Sequence, residues 1–511
     1  MKRLALRRGT SLGAGIFALI AGSTGAAAQT ANEATVESKP AKIAKSKHAP
    51  GAAEAVIAPP LNLPHPVHAP TSVLPSTLAF QPLPYDETYT QYADPTMRTT
   101  TWAKLKHIPL WTDGFLTVGG DARLRTETRD HLNFGRGAED RGLDIQYRVR
   151  LWADLHWTDY LRTFTEIEAT DTHGANVTPN AVDANTAELH QAFAEISLPT
   201  DGSGGRFIAR AGRQEISFGK ARLFDARNAP NTRRSFDAAR TQWQNGQWRV
   251  GLLGGLAVQD KLGSFNDSTN YDFSFIAAHA ARKLNPLLKN AELEILYIHS
   301  DRKGAAVPLF DARRDTLSAR LAGRQGKLDY DIELIGQHGE TAAGQTIKAW
   351  LYGMDTAYQL PGAWKPRVGF RTDIGSGDRH PGNGTSGTYD FLWSRGQTFT
   401  AEFGYSNLIQ AGPSFGMKPS KKLTMEVTAS GLWRATNQDN LYAMTGAILR
   451  RANESSAHYV GLRNTARLDY QCNRYVVTGL YINRVQAGRF LHETGDGKNL
   501  LYTSVYISSR F

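Results

Sequence analysis

Apolar and charged positions alternate along most of the chain after residue 115. Between Leu116 and Arg129, apolar side chains fall on one face of an extended segment and charged side chains fall on the other. The same period of two recurs between Asp144 and Trp157. Because successive side chains of a β-strand point to opposite faces, this pattern predicts strands that separate apolar from polar surroundings.

Further alternating segments lie at 367–374, 423–434, 460–469 and 501–511. A soluble sandwich also alternates, but its strands typically have about five or six residues, and these segments are about twice as long. We count about eighteen such segments and predict an all-β fold, a transmembrane antiparallel β-barrel with a wet interior. Segments 186–198 and 399–417 break the alternation, so the count carries an error of one hairpin.

The connections between the predicted strands are of two kinds, as the two rims of such a barrel require. Short turns are predicted at 157–160 and 471–474. Long loops rich in Gly, Asn and Asp are predicted at 171–185, 259–270, 375–397, 435–456 and 486–498.

Residues 1–28 have the organisation of a secretory signal peptide. A basic start is followed by an apolar run from Leu12 to Ala21 and by small residues at 26–28. The run is too short to span a membrane, so we predict cleavage before Gln29 and export of the mature chain.

Residues 29–98 are rich in Pro and Ala and are predicted to be a disordered periplasmic tether, because such a composition cannot bury a core. Residues 99–511 are predicted to form the barrel. The histidines at 48, 65 and 68 have no Cys or carboxylate partners nearby, so no metal site is predicted there. Cys472 is the single cysteine, which excludes an intramolecular disulfide.

Composition and charge narrow the class of partner. Aromatic residues make up 10% of the 511 residues, and the formal net charge is +11. A mean hydropathy of −0.41 suits half-polar membrane strands. The positive surplus indicates an anionic partner. Since the arginines are spread through strand segments, and are not gathered in a tail or helix, no nucleic-acid partner is predicted.

The stretch 206–240 is the most basic part of the chain. It starts as an extended segment up to Gln214, passes through a loop around Gly219 and Pro230, and becomes extended again from Ser235. Basic residues strongly outnumber acidic ones in it. The pattern predicts a strand, a cationic loop and a second strand, with the loop adding positive charge that the strand acids do not match.

The last strand ends in an aromatic residue. Leu501, Val505, Ile507 and Phe511 lie on one stripe, and polar residues lie opposite. A terminal Phe on an alternating strand resembles the signal that bacterial barrel-assembly machinery reads. It implies that machinery as a partner, and the outer membrane of a Gram-negative cell, with its lipid, as the location.

Three stretches carry a family resemblance: residues 212–237, Arg123-Leu124-Arg125 with Glu127, and Arg148-Val149-Arg150-Leu151. In the first stretch the matching residues are Gly212-Arg213-Gln214, Phe218-Gly219, Arg222 and Asn231-Thr232-Arg233-Arg234-Ser235-Phe236-Asp237. Together they resemble the alginate-export family of outer-membrane porins, over roughly residues 100–511. The resemblance implies an eighteen-stranded monomeric porin whose arginine-rich constriction passes a polyuronate.

Arginine suits such a path because its planar guanidinium binds a carboxylate through two hydrogen bonds and stays charged. The predicted pore-lining residues, which would contact solute or balance the arginines, are Arg123, Arg125, Arg148, Arg150, Arg210, Arg213, Arg233, Arg234, Arg240, Arg367, Arg371, Arg463, Arg467, Glu166, Asp237 and Asp373.

The leading interpretation is a porin for an anionic polysaccharide, with a periplasmic secretion partner as a further possibility. The alternatives are an uptake channel for small acidic sugars or other anions, a barrel lipid hydrolase and a surface adhesin. No Ser and His pair lies in a recognisable motif, and the glycines near Gly375 and Gly384 precede no helix. We therefore predict no enzyme activity, no cofactor and no metal.

Overall fold

Alternating residues form long strands through most of the described chain. The computed structural model describes residues 80–136, 141–175, 180–200, 204–305, 307–400 and 402–511. The predicted signal peptide, residues 1–28, and residues 29–79 of the predicted tether lie outside the described residues.

The strands are β1 Ile108–Trp111, β2 Gly114–Asp130, β3 Gly142–His156, β4 Leu161–Ala175, β5 Asn185–Pro199, β6 Arg206–Gln214, β7 Phe236–Gln244, β8 Trp248–Gln259, β9 Ser268–Lys283, β10 Ala291–Arg302, β11 Ala312–Gln325, β12 Leu328–Thr341, β13 Thr346–Gln359, β14 Arg367–Gly375, β15 Thr385–Ser386, β16 Leu408–Met417, β17 Leu423–Arg434, β18 Leu441–Tyr442, β19 Ile448–Arg450, β20 Tyr459–Gln471, β21 Val476–Ala487 and β22 Leu500–Arg510. Among the described residues, one short α-helix, α1, spans Arg489–Glu493, and none of the helices is both long enough and apolar enough to cross a membrane.

The long strands close into an 18-stranded antiparallel barrel, as predicted. The last strand pairs with the first long one, so that Leu124 lies opposite Ile507 and Asp121 lies opposite Arg510. The short β1 and β15 add to this sheet, and β18 pairs with β19 separately. The irregular alternation near residue 186 has a local cause, because the pairing of β4 with β5 shifts register twice.

The two faces of the wall differ as the alternation predicts. Leu124, Val149 and Leu151 are exposed on the outer face, where a membrane would cover them. Arg148 and Arg150, which alternate with Val149 and Leu151 on the same strand, are buried on the inner face. The interior is therefore polar but largely filled.

The two rims also differ as predicted. One rim has short turns such as 245–247, 326–327 and 472–475, and we call it the short-turn rim. The other has long loops such as 435–458 and 488–499, and we call it the long-loop rim.

Two loops of the long-loop rim fold into the barrel. The first inserted loop is residues 215–235, and the second inserted loop is residues 376–400 with 402–407. Phe224 of the first loop and Trp393 of the second lie in one buried apolar cluster with inward residues of the wall such as Phe236, Phe275 and Leu351. This cluster fixes both loops across the lumen.

Residues 80–98 differ from the disordered tether predicted for 29–98. Leu83 and Tyr85 are buried against Trp152, Phe164 and Phe193 of the inner wall. Burial of these two side chains holds this part of the predicted tether against the inner wall, so the chain packs on the barrel before the predicted boundary at residue 99.

Candidate functional site

The lumen brings together the predicted pore-lining residues, apart from Arg213 and Asp237. Most of them project from the inner face of the wall, while Arg233 and Arg234 lie in the first inserted loop. The candidate site is therefore the space between the wall and the two inserted loops.

Arg213 and Asp237 lie on the opposite face from the other predicted residues, which corrects their assignment to the lumen. Gln214 and Phe236 are fully buried on the inner face, so Arg213 and Asp237, one position away, project outward. The two form an ion pair of 2.9 Å near the long-loop rim. The sequence prediction places them in the lumen because they lie in the stretch that resembles the family. The alternation of side chains along β6 and β7 places them on the outer face.

The arginines of β2 and β3 hold the first inserted loop. Arg123 donates hydrogen bonds of 2.9 Å and 3.0 Å to the carbonyls of Asn228 and Pro230. Arg125 donates one of 2.6 Å to the carbonyl of Ala229. Arg148 donates one of 2.7 Å to the side-chain oxygen of Asn228. These guanidinium groups position the loop, because they are buried and their donors meet loop oxygens.

Arg150 is the centre of a buried ion network below the same loop. It pairs with Asp121, with Glu166 at 3.2 Å and with Glu215 at 3.5 Å. Burial acts to raise the pKa of Glu215, but Arg233 and the hydrogen bond from His190 outweigh it, and the pKa lies below its usual range. Glu215 therefore stays ionised and fixes the start of the inserted loop.

Three members of this network could also suit a metal ion. Glu166, His190 and Glu215 place one ligand atom each within 4.8 Å of one another. Arg150 lies beside both carboxylates, and Arg233 also pairs with Glu215. Because cations of the protein already neutralise these groups, the trio fits an ion-pair network better than a metal site.

A second network surrounds Arg222 on the far side of the same loop. Its guanidinium lies 3.4 Å from Asp331, 3.0 Å from Glu333 and 3.0 Å from Asp373. The side chain passes directly over Gly353, where an added Cβ would lie 2.3 Å from Arg222 Nε. The missing side chain at Gly353 of β13 thus leaves the space that the Arg222 side chain needs to reach the three carboxylates.

Most cations of the first inserted loop have carboxylate partners, which corrects the prediction that its positive charge is unmatched. Lys220 pairs with Asp355 at 2.9 Å, and Arg227 and Arg233 pair with Asp260 and Glu215. Acids of the wall and neighbouring loops meet these cations because the loop folds inward, a contact that its sequence does not reveal.

The two inserted loops are bonded to each other. Asp225 pairs with Arg395 at 2.9 Å. The amide of Trp393 donates a hydrogen bond of 3.1 Å to the carbonyl of Leu223, and Arg234 donates one of 2.6 Å to the carbonyl of Trp393. The loops therefore form one partition across the lumen.

Arg240, Arg371 and Arg467 keep part of their side chains accessible inside the barrel. The side chains of Arg371 and Arg467 are 18% and 14% exposed, and each has a carboxylate partner, Asp355 at 3.4 Å and Asp469 at 2.8 Å. Arg367 and Arg463, four residues or about 13 Å away on the same strands, are more deeply buried, Arg367 toward the short-turn rim and Arg463 toward the long-loop rim. Arg371 lines a cavity with Arg395 of the second inserted loop, and Arg467 lies 5.9 Å from the centroid of the Phe399 ring in that loop, so both lie beside the partition.

Two further arginines of the lumen, Arg395 and Arg510, lie outside the predicted set. Arg395 lines a cavity with Arg222 and Arg371, and Arg510 lines another with Arg123 and Arg150. Arg510 could have been found from the polar stripe of the last strand. Arg395 lies in a loop without alternation, and nothing in its sequence indicates that it faces inward.

Comparisons with known proteins agree with this architecture. The family model described as "Alginate export" matches residues 115–500. No curated protein sequence matches the chain. Similar solved structures include the outer membrane protein opdK from Pseudomonas aeruginosa, at 11% identity and a TM-score of 0.52, with 77% of this chain and 98% of that chain covered.

OccAB1 from Acinetobacter baumannii is also similar, at 10% identity and a TM-score of 0.53, covering 77% of this chain and 96% of that one. OccK5 (OpdH) from Pseudomonas aeruginosa follows at 11% identity and a TM-score of 0.51, covering 78% and 98%. At such identities the likeness establishes the fold alone.

Proposed function

The chain belongs to the alginate export family and is an outer-membrane β-barrel porin, and on this premise we propose that it passes a saccharide that carries carboxylates. The observation that carries the proposal is the set of partly accessible arginines on the inner face of the wall, Arg240, Arg371 and Arg467. Each can meet a carboxylate from the solvent side while the wall holds its base.

A path for such a solute needs cations that bind each carboxylate weakly enough to release it. The wall carboxylates supply this weakening. Asp355 and Asp469 already share the guanidinium groups of Arg371 and Arg467, so a solute carboxylate competes with them. The arrangement favours anions without trapping them.

The test is conductance in planar bilayers. We expect the purified porin to prefer anions, and we expect a soluble polyuronate to reduce the current. In the double variant Arg371→Gln/Arg467→Gln, anion preference should fall and the half-blocking concentration should rise several-fold. Raising the salt concentration should relieve the block, because charges are screened over about 10 Å at 0.1 M.

Arg313→Gln is the matched control, because its side chain is 77% exposed on the outer face. It removes one arginine charge, where the double variant removes two, without touching the lumen, and it should leave both readouts unchanged. Arg123 and Arg148 are unsuitable for this test, since they hold the first inserted loop. Cation preference in the parent channel, or a block that ignores both salt and mutation, would contradict the proposal.

A smaller acidic solute is the second candidate, favoured by the space in the lumen that the inserted loops, Leu83 and Tyr85 occupy. Block by a monomeric uronate can be compared with block by its oligomers. Equal potency per molecule would favour the small solute, whereas potency that grows with chain length would favour the polysaccharide. We also propose that the signal peptide is cleaved before Gln29, which amino-terminal sequencing of the mature protein checks.

A further inference from the structure

Residues 81–87 lie in the lumen, on the short-turn side of the partition. The hydroxyl of Tyr85 donates a hydrogen bond of 2.6 Å to the carbonyl of Glu215, where the first inserted loop begins. Its ring meets Phe164 and Phe193 edge-on, with centroids 5.9 Å and 5.3 Å away. Arg210 lies over the same ring, 4.1 Å from its centroid. We call residues 81–87 the strap.

The backbone of the strap accepts hydrogen bonds from arginines of the lumen. Arg510 donates one of 2.9 Å to the carbonyl of Gln81. Arg162 donates one of 2.9 Å to the carbonyl of Tyr85, and Arg233 donates one of 3.4 Å to the carbonyl of Pro82. The strap therefore uses guanidinium donors that an anionic solute would otherwise meet.

The strap also supplies two carboxylates. Glu87 is buried and pairs with Arg510, while Tyr89 donates to it a hydrogen bond of 2.6 Å. Asp86 is exposed to the open lumen and lies within electrostatic range of Arg210, Arg240 and Arg162. The strap thus presents negatively charged carboxylates to the lumen arginines, as the proposed solute would.

The chain is anchored to the barrel just after the strap. Trp102 stacks on Phe511, with centroids 4.2 Å apart, and Lys106 donates a hydrogen bond of 2.8 Å to the carbonyl of Val118. By contrast, Asp86, Thr88 and Thr90 are exposed. Residues 102–106 therefore keep the strap at the mouth when a solute competes with it for the lumen arginines.

We infer that the strap is a tethered anionic ligand of the lumen arginines, which competes with the solute at the short-turn mouth. The inference rests on the proposed function for the identity of the competing solute. A group on a short tether acts at about millimolar effective concentration, so a solute must reach a comparable concentration to displace it.

The test neutralises the two carboxylates in the full chain with Asp86→Asn/Glu87→Gln, which keeps the shape of both side chains. We expect the anion-to-cation permeability ratio in KCl to rise at least twofold. The half-blocking concentration of an oligogalacturonate added at the short-turn side should fall at least threefold. Asp94→Asn is the control, because Asp94 is exposed outside the lumen and only caps a short turn at Thr96.

Folding of each variant is checked by its altered gel mobility without heating, and Asp86→Asn alone replaces the double variant if that one does not fold. A raised permeability ratio without any block by oligogalacturonate would support the strap as an anionic ligand of the lumen arginines, and it would refute the proposed solute. If oligogalacturonate blocks parent and variant at equal concentrations, and the permeability ratio is unchanged, the role of the strap as a competing ligand is wrong. The proposed function would stand in that case. An equal response of Asp94→Asn would also overturn it.

Discussion

The indole of Trp393 stacks on the ring of Phe224, with centroids 4.9 Å apart and planes inclined by 16°. The contact joins the two inserted loops, whose backbones also form a bridge at these residues. Trp393 further stacks on Phe273 of β9, with centroids 4.2 Å apart. One aromatic side chain thus ties both loops to the wall.

Trp393→Ala should weaken the contacts that hold the partition in place and leave the barrel folded. Truncating a buried Trp costs about 3–5 kcal/mol, and here the loss falls on loops that the strands do not need. We expect a larger and noisier unit conductance in planar bilayers, with normal gel mobility. Trp364→Ala is the control, because Trp364 is 59% exposed on a short turn. Equal noise in both variants would show that the loops are held by other contacts.

Arg222→Met should destabilise the protein. It leaves Asp331, Glu333 and Asp373 gathered around an apolar side chain, and removing one partner of a buried ion pair costs about 3–5 kcal/mol. The midpoint of urea unfolding, followed by tryptophan fluorescence, should fall. The same change at the exposed Arg313 should leave it in place, and a matching fall there would contradict the role of the network.

The long-loop rim should be pH-sensitive at residues 260–267. Burial, with further contributions from Asp260 and Glu188, raises the pKa of Asp267 from 3.8 to about 6. Between pH 3.8 and about pH 6, Asp267 keeps its proton in the folded loop and releases it in the unfolded loop. The stability of the folded loop therefore falls as the pH rises through this range. Hydrogen-exchange protection factors of the loop should be higher at about pH 5 than at about pH 7.5. Asp267→Asn, which cannot titrate, should remove the difference, and its persistence there would assign it to another group.

Deletion of Phe511 should reduce assembly of the barrel. The residue closes the ladder between the first and last long strands, since its amide donates a hydrogen bond of 3.0 Å to the carbonyl of Gly120. It also carries the aromatic ring of the predicted assembly signal. The fraction of protein with altered mobility in unheated gels should fall.

Trp102→Ala separates the two roles of Phe511. It removes the ring stacked on Phe511 but leaves the terminal residue in place. We expect normal assembly in this variant. An equal loss in both would mean that packing, and not the terminal signal, limits assembly.

Much of the barrel follows from local rules in the sequence. Arg148 and Val149 must face opposite sides of a strand, whatever the rest of the chain does, because neighbouring Cβ atoms alternate. The same rule places Tyr502 inside and Val505 outside in the closing strand, as the structure confirms. The same rule places Arg213 on the outer face, because its neighbour Gln214 is buried on the inner face.

The sequence by itself determined most of the strands, their faces and the two kinds of rim, because each depends on neighbours within one strand or turn. Only the tertiary structure decided which arginines hold loops and which face water. Arg222 meets Asp331 and Tyr85 meets Glu215 across more than a hundred residues of chain. Such contacts depend on how the loops and the amino-terminal segment fold into the closed barrel, and no periodicity along the chain records that.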